Sequence, residues 1–403
     1  MIIGIDASRA TVSKKTGVEH YSEKIIYHIS KIDKNNQYIL YSENKPKKGD
    51  LLYDLPKNFI WRIIPFGYLW TQIRLSWEML KDRKKLDILF IPSHTIPLIH
   101  PKKTVVTVHD FGFDYFPELY AKQPIGPKNP IIKFFINIFV RIFTLGKYGN
   151  SELDYHRWAS KHSVKKATKI IAVSEFTKND AIKLYNATDE KIAVIYHGFD
   201  SDIKPLRLSQ YKINSQKLTS SFKPYIFYIG RVEKKKNILN LVKSYQLAVE
   251  KYHIPHKLVL AGMPGLGYEQ IKNYIEKLPE NIKTNIILLG YVSDKHRSWW
   301  MQNADMFLFI SNFEGFGIPI LEAFQSEIPV ICSNTTSLPE VAGESAILVN
   351  PKDPNEIAKQ IFKLYSDKNI KKQLVDLANK RVQMFSWDKA ARQTLETIIN
   401  STK

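Results

Sequence analysis

A chain of 403 residues is long enough for two or three ordinary cores, and two is the economical expectation. With 44% hydrophobic and 24% charged residues and aromatics throughout, its composition is that of a folded globular protein, which excludes a disordered or low-complexity one. The single cysteine, Cys332, excludes an internal disulfide and a cysteine-rich metal site, and a formal charge of +20 calls for an anionic partner.

Taken in chain order, short β-branched and aromatic runs alternate with helix-patterned segments, which predicts parallel sheets with helices on both faces. The expected strands are 2–6, 38–41, 88–91, 104–108, 169–173 and 192–196, then 225–229, 257–261, 285–289, 306–310, 330–332 and 346–349. Met1-Ile2-Ile3-Gly4-Ile5-Asp6 is strand-like and carries no basic leader or cleavage site, so a cytoplasmic protein is expected, in keeping with the lone cysteine. Between the two series, 200–224 is rich in Ser, Lys and Pro and lacks sustained periodicity. The expected fold is therefore α/β, with two doubly wound, Rossmann-like domains facing each other across a cleft. The first spans 1–205, a linker 206–224 and the second 225–385, with a last helix at about 386–403 packing back onto the first. Ligands of such sheets lie at the carboxyl ends of the strands, so functional residues are sought just after strands.

The charge is unevenly spread. Residues 57–103 hold nine Lys/Arg against three acids, and 120–170 hold ten against two. The longest apolar stretch, 131–145, is broken by Lys133 and Arg141 and is too short to span a bilayer. As a helix it aligns Lys133, Asn137, Arg141 and Thr144 on one stripe, which suits either a helix lying on an anionic membrane or a mostly buried helix with a solvated strip. Peripheral association with the inner membrane face, through 57–103 and 120–170, is the expectation. Nucleic acid is the rival partner, but no RNA- or DNA-binding signature is present and the aromatics form no stacking platform, so none is expected.

The strongest chemical phrase follows the strand at 306–310: Asn312-Phe313-Glu314-Gly315-Phe316-Gly317-Ile318-Pro319-Ile320-Leu321-Glu322-Ala323. Gly315 and Gly317 permit a tight turn with exposed backbone amides, and Pro319 suits a first helical turn. Together they make a helix start suited to a diphosphate, flanked by two carboxylates that can accept hydrogen bonds from sugar or ribose hydroxyls. Either acid alone reads more blandly, Glu322 as a complement to the helix dipole and Glu314 as the end of a strand. Upstream, Gly230-Arg231-Val232-Glu233-Lys234-Lys235-Lys236-Asn237 follows a strand and opens a helix. Arg231 and Lys236 are suited to neutralise charge on a departing nucleoside diphosphate, while Lys234 and Lys235 read as a solvated helix start.

These phrases, in this order, resemble family 4 of the retaining glycosyltransferases, which have GT-B architecture. The resemblance also rests on Leu289-Gly290-Tyr291-Val292, Asn303-Ala304-Asp305, Ser337-Leu338-Pro339-Glu340-Val341, Val173-Ser174-Glu175-Phe176 and His197-Gly198-Phe199-Asp200. It implies that Arg231 and Lys236, beside Gly230, hold the diphosphate of a nucleotide sugar and that Glu322 holds the ribose. Glu314, Gly315 and the amides of Phe316 and Gly317 would take the transferred sugar, and Tyr291 and Val292 would border the base. His109, in Val106-Thr107-Val108-His109-Asp110, would reach the donor sugar; without the resemblance, a His-Asp pair after a strand reads as structural. Gly17 stands where the family often has paired glycines, and Asn237 where a glycine commonly follows the lysine. The implied reaction retains the anomeric configuration by front-face attack and needs no metal or other cofactor; Asp200-Ser201-Asp202 reads as a turn. The first domain would bind a glycan or lipid-linked acceptor. The phrases around Thr16-Gly17-Val18-Glu19-His20-Tyr21 and His109 look most like mannosyltransferases, with GDP-mannose as donor and a surface polysaccharide or lipopolysaccharide as product.

Three other readings stand beside this one. Gly262-Met263-Pro264-Gly265-Leu266-Gly267 follows a strand as a dinucleotide loop would, but its spacing departs from G-x-G-x-x-G and Pro264 interrupts it. A catalytically silent scaffold of the same fold and a basic nucleic-acid-binding protein are the alternatives.

Overall fold

The computed structural model of the protein describes residues 1–13, 15–65, 70–120, 134, 138, 151–199 and 224–403, with backbone alone at 294 and 295. The expected linker up to residue 223, the Asp200-Ser201-Asp202 turn and most of the 131–145 stretch lie outside the described residues. Within that stretch Phe134 and Ile138 are described, and both are exposed.

The chain divides into two compact units, Met1–Gly198 with Ser386–Lys403, and Phe199–Phe385. The first is built on a parallel sheet of β1 (Ile2–Asp6), β2 (Gln37–Ser42), β3 (Phe59–Ile63), β4 (Ile88–Ile91), β5 (Thr104–Val108), β6 (Lys169–Ala172) and β7 (Ile192–Val194). Their spatial order is β3-β2-β1-β4-β5-β6-β7, the doubly wound pattern in which the order reverses beside β1. Its helices include α1 (Gly17–Ile32), α2 (Ser76–Asp82), α3 (Gly112–Tyr115), α4 (Glu152–Lys166) and α5 (Glu175–Tyr185). β4 and β5 are buried along their whole length because helices cover both faces, which is why they read in sequence as continuous apolar runs. β3 was not among the expected strands. It is an edge strand with Ile60, Arg62 and Ile63 turned to solvent, so neither a solid apolar run nor a clean alternation marks it.

The second unit repeats the plan with β8 (Tyr225–Ile229), β9 (Lys257–Ala261), β10 (Ile286–Gly290), β11 (Met306–Phe309), β12 (Val330–Ser333) and β13 (Ile347–Val349), in spatial order β10-β9-β8-β11-β12-β13. Around this sheet lie α6 (Ile238–Tyr252), α7 (Tyr268–Glu276), α8 (Glu280–Lys283), α9 (Asp294–Asn303), α10 (Ile318–Gln325), α11 (Leu338–Ala342), α12 (Pro354–Ser366) and α13 (Lys368–Val382). The order reverses beside β8, so β8 and β11 are neighbours and the loops leaving their carboxyl ends are brought together.

The last helix, α14 (Trp387–Asn400), belongs to the first unit and packs along α1. Trp387, Ala390, Ala391 and Ile398 join Tyr21, Ile25, Ile26 and Ile29 in one buried cluster. His28 Nδ1 meets Asp388 Oδ1 at 2.8 Å across the same seam. Gly198 is required there, because a Cβ at that position would lie 2.2 Å from the backbone nitrogen of Trp387.

Candidate functional site

Two loops build the site in the second unit. The first leaves β8 at Gly230, whose φ of +147° belongs to glycine, and closes with a 3-10 turn at Lys234–Lys236 before α6. Asn237 makes the bend into that helix at φ 60°, and its side-chain amide donates to Ile310 O at 3.1 Å and to Pro351 O at 2.7 Å. Asparagine can thus do here what a glycine would, since it tolerates left-handed backbone, and it adds two buried hydrogen bonds.

The second loop leaves β11 and is stitched to the first. Asn312 N donates to Lys235 O at 3.0 Å, Ser311 Oγ donates to the same carbonyl at 3.3 Å, and the Lys235 ammonium stands 5.2 Å from the centre of the Phe313 ring. Lys236 Nζ then reaches Glu314 Oε1 at 2.6 Å, with both side chains largely withdrawn from water. A charge-assisted contact of that length in a half-dry setting is stronger than a surface pair.

From behind, Ser337 Oγ contacts both Glu314 O and Phe316 O at 2.9 Å, and Glu314 N donates to Thr336 Oγ1 at 3.3 Å. Gly317, at φ 111°, turns the chain into α10, with Pro319 in the first helical turn. A side chain at Gly317 would also meet Leu338 Cδ2 at 2.7 Å, so position and conformation both demand glycine. The outcome is a helix start held rigidly beside a lysine, a geometry that favours an anion.

Glu322 lies one turn into α10 and pairs with Arg297 of α9, Nη2 to Oε1 at 3.1 Å. Gly290, at φ 68°, ends β10, and the segment that follows exposes 73% of Tyr291 before Ser293 caps α9. Arg231 is 68% exposed at its side chain, and its Nε stands 3.9 Å from Glu233 Oε2. Beneath it Tyr228 OH donates to Arg231 O at 3.1 Å. Burial first, and then the charges of Glu314 and Glu233, push that phenol well above its ordinary pKa, so it remains a donor.

The structure therefore joins Lys236 to Glu314, and places Gly315, Phe316 and Gly317 between Glu314 and the helix that carries Glu322. It does not join Arg231 to Glu314 by direct contact, and Glu322 meets Arg297, a residue that the sequence did not single out. Ser337 and Thr336 support the loop from the far side, and the Ser337-Leu338-Pro339-Glu340-Val341 phrase is the sequence signal that leads to Ser337. The segment Gly262-Met263-Pro264-Gly265-Leu266-Gly267 is a backing strap. Val232 N donates to Met263 O, Gly265 N to Val232 O and Lys234 N to Leu266 O, at 2.8–3.0 Å. A Cβ on Gly262 would lie 1.8 Å from Gly230 O, which explains the glycine without any dinucleotide.

His109 and Gly17 stand in the first unit. His109 follows β5 and is buried; its Nε2 bonds Pro92 O at 3.1 Å, and Tyr21 and His197 pack against its ring at 4.8 and 5.5 Å. Burial lowers its pKa against the opposing pull of that carbonyl, Asp110 and Glu19, so the imidazole is neutral near pH 7 with Nε2 as the donor. Gly17 is the first residue of α1, beside a capping box in which Thr16 N donates to Glu19 Oε2 at 3.1 Å. A Cβ there would meet nothing within 4 Å.

Two Rossmann-like parallel-sheet units, the second carrying a cation-and-carboxylate loop at the carboxyl ends of its central strands, make up the GT-B fold. Solved structures share that fold: Anabaena HepE in complex with UDP and glucose matches with a TM-score of 0.66 at 17% identity over 99% of both chains. WaaG, a glycosyltransferase involved in lipopolysaccharide biosynthesis, matches with a TM-score of 0.66 at 13% identity, again over 99% of both. The model described as Glycosyltransferase Family 4 matches residues 35–203, and that described as Glycosyl transferases group 1 matches 210–381. The chain belongs to glycosyltransferase family 4. Among curated relatives, O-antigen chain mannosyltransferase B of Escherichia coli is 29% identical over 302 residues, 74% of this chain and 77% of that one. The capsular polysaccharide biosynthesis glycosyltransferase CapM of Staphylococcus aureus is 29% identical over 243 residues, 58% of this chain and 62% of its own length.

Proposed function

We propose that the protein is a retaining hexosyltransferase that moves mannose from GDP-mannose to a glycan or lipid-linked acceptor during synthesis of a surface polysaccharide or lipopolysaccharide. The observation that carries the reading is the 2.6 Å contact between Lys236 and Glu314 at the start of α10. An ammonium and a carboxylate side by side match a ligand whose phosphate is anionic and whose adjoining sugar presents hydroxyls. On this reading Lys236, Arg231 and the amides that open α10 hold the diphosphate and offset the charge that grows as the glycosidic bond to it breaks. Glu314, with Gly315, Phe316 and Gly317, positions the sugar, Glu322 accepts from the ribose hydroxyls, and Tyr291 and Val292 flank the base. His109 donates or accepts at the sugar as a neutral imidazole, and Gly17 leaves room close to it.

The mannose assignment is supported by relatives named as O-antigen mannosyltransferases, and the nucleotide-sugar assignment by a structural neighbour that holds UDP and glucose. The cationic side chains take the part that a metal plays in other sugar transferases, so turnover is expected to survive EDTA. The reading also places the enzyme on the inner face of the cytoplasmic membrane. Arg83, Lys84, Lys102 and Lys103 line one cavity of about 770 Å³ in the first unit, a basic concentration suited to anionic headgroups. No helix of the described residues is long and apolar enough to cross a membrane.

A thermal-shift panel of nucleoside diphosphates and their sugars tests the donor, because a ligand that binds only the folded state raises Tm. GDP and GDP-mannose should give the largest shifts, and the anomeric configuration of the product should match the donor's. A chain that binds nucleotide without turnover would be the silent scaffold instead, and a larger response to UDP-sugars would replace the donor.

A further inference from the structure

Glu322 does not stand alone. Its carboxylate is gripped by Arg297, Nη2 to Oε1 at 3.1 Å, with side-chain exposures of 12% and 29%. Arg297 lies in the first turns of α9, its amide bonded back to Ser293 O at 2.8 Å, one helical turn beyond Tyr291 and Val292. The pair thus links the helix after β10 to the helix after β11, two elements that meet only through tertiary packing.

We propose that Arg297 is the residue that makes this site read the ribose: it locks the Glu322 carboxylate in the rotamer that accepts the vicinal hydroxyls of a ribonucleoside diphosphate. The inference rests on the placing of the nucleotide at this site and adds a positioning residue to it. A glutamate on a helix has three rotatable bonds, and fixing them on binding costs free energy that a pre-paired side chain no longer has to supply. Arginine suits the task because its planar fork stays charged at any working pH and holds a carboxylate in a defined orientation, whereas a lysine is a mobile point charge. The chain does not set this pair by local spacing, since the partners are on different helices.

The test compares GDP, UDP and their 2′-deoxy and 3′-deoxy forms by calorimetric titration of the full chain and of the variants Arg297→Leu, Arg297→Lys, Glu322→Gln and the double variant Arg297→Leu/Glu322→Gln. The wild-type protein should prefer ribo over deoxy forms by roughly 10- to 100-fold, the range of a hydrogen bond to a charged acceptor. Arg297→Leu should erase most of that preference, Arg297→Lys should restore part of it, and Glu322→Gln should abolish it so that adding Arg297→Leu changes nothing more. The ratio is internal to each variant, so a general loss of stability does not move it. If Arg297→Leu keeps the full preference, the assignment to Arg297 is overturned while the ribose role of Glu322 stands. If the wild-type protein shows no preference, or binds no nucleoside diphosphate, the site reading itself fails and this inference with it.

Discussion

Lys236 and Glu314 have opposite expected effects on the donor, and the 2.6 Å contact between them makes that difference measurable. Replacing Glu314 by Gln leaves an ammonium with no anion beside it, so affinity for a nucleoside diphosphate should hold or rise while kcat falls, on the order of 10²-fold to 10³-fold if its contact strengthens in the transition state. Replacing Lys236 by Ala should weaken nucleoside diphosphate binding and leave a carboxylate that repels phosphate. Titration calorimetry with steady-state kinetics separates the two, and equal losses of affinity in both variants would contradict the division of roles. At Gly317 the objection to any side chain is steric and conformational at once: φ is 111° and Leu338 Cδ2 would lie 2.7 Å from a Cβ. Gly317→Ala should therefore cost about 1–3 kcal/mol in urea unfolding, the range for a strained backbone site.

At the scale of elements, α4 carries two imidazoles into a crowded place. His156 Nδ1 lies 3.2 Å from His94 Nε2, and the His162 ring packs edge-on to that of His100. Burial first, then the neighbouring imidazole, lowers His94 to about 3 and His162 to about 4. Both are neutral when folded but take a proton near pH 6.5 when unfolded, so acid draws the chain toward the unfolded state. Their stabilising contribution is complete above about pH 6.5 and is lost as pH falls toward the folded values. Tm should drop between pH 7 and pH 5, and His162→Gln should flatten that dependence; an unchanged slope would remove His162 from the account. The elements themselves were largely legible. Strands such as β5, β9 and β11 are buried on both faces and announce themselves as apolar runs, whereas exposed β3 does not. The Lys236 and Glu314 loops could be found because each follows a strand at the turning point of a doubly wound sheet. Arg297 could not, because it acts through a contact between helices; the glycines of 262–267 stand out in the sequence, but the backbone hydrogen bonds that make the segment a strap do not.

On the scale of the whole molecule the question is where a formal charge of +20 is directed. Arg83, Lys84 and Lys102 are exposed around one cavity, with Lys103 donating to Thr402 O and the Asp87 carboxylate bonded to the amide of Ile2. Each cation near an anionic bilayer is worth about 1 kcal/mol, so changing Arg83, Lys84 and Lys102 to Gln should lower partitioning onto phosphatidylglycerol vesicles by roughly 100-fold at low salt. At 0.1 M salt the screening length falls to about 10 Å, and the wild-type protein should itself bind more weakly, which separates charge from apolar insertion. Because these residues lie away from the Lys236 loop in sequence and in a different unit, turnover of a soluble acceptor should be the same in the triple variant. Wild-type protein that ignores anionic vesicles, yet shifts a random oligonucleotide in a salt-sensitive way, would assign the basic surface to nucleic acid. Vesicle binding that survives the triple variant would move the contact to the other basic segment at 120–170, where Phe134 and Ile138 stand exposed.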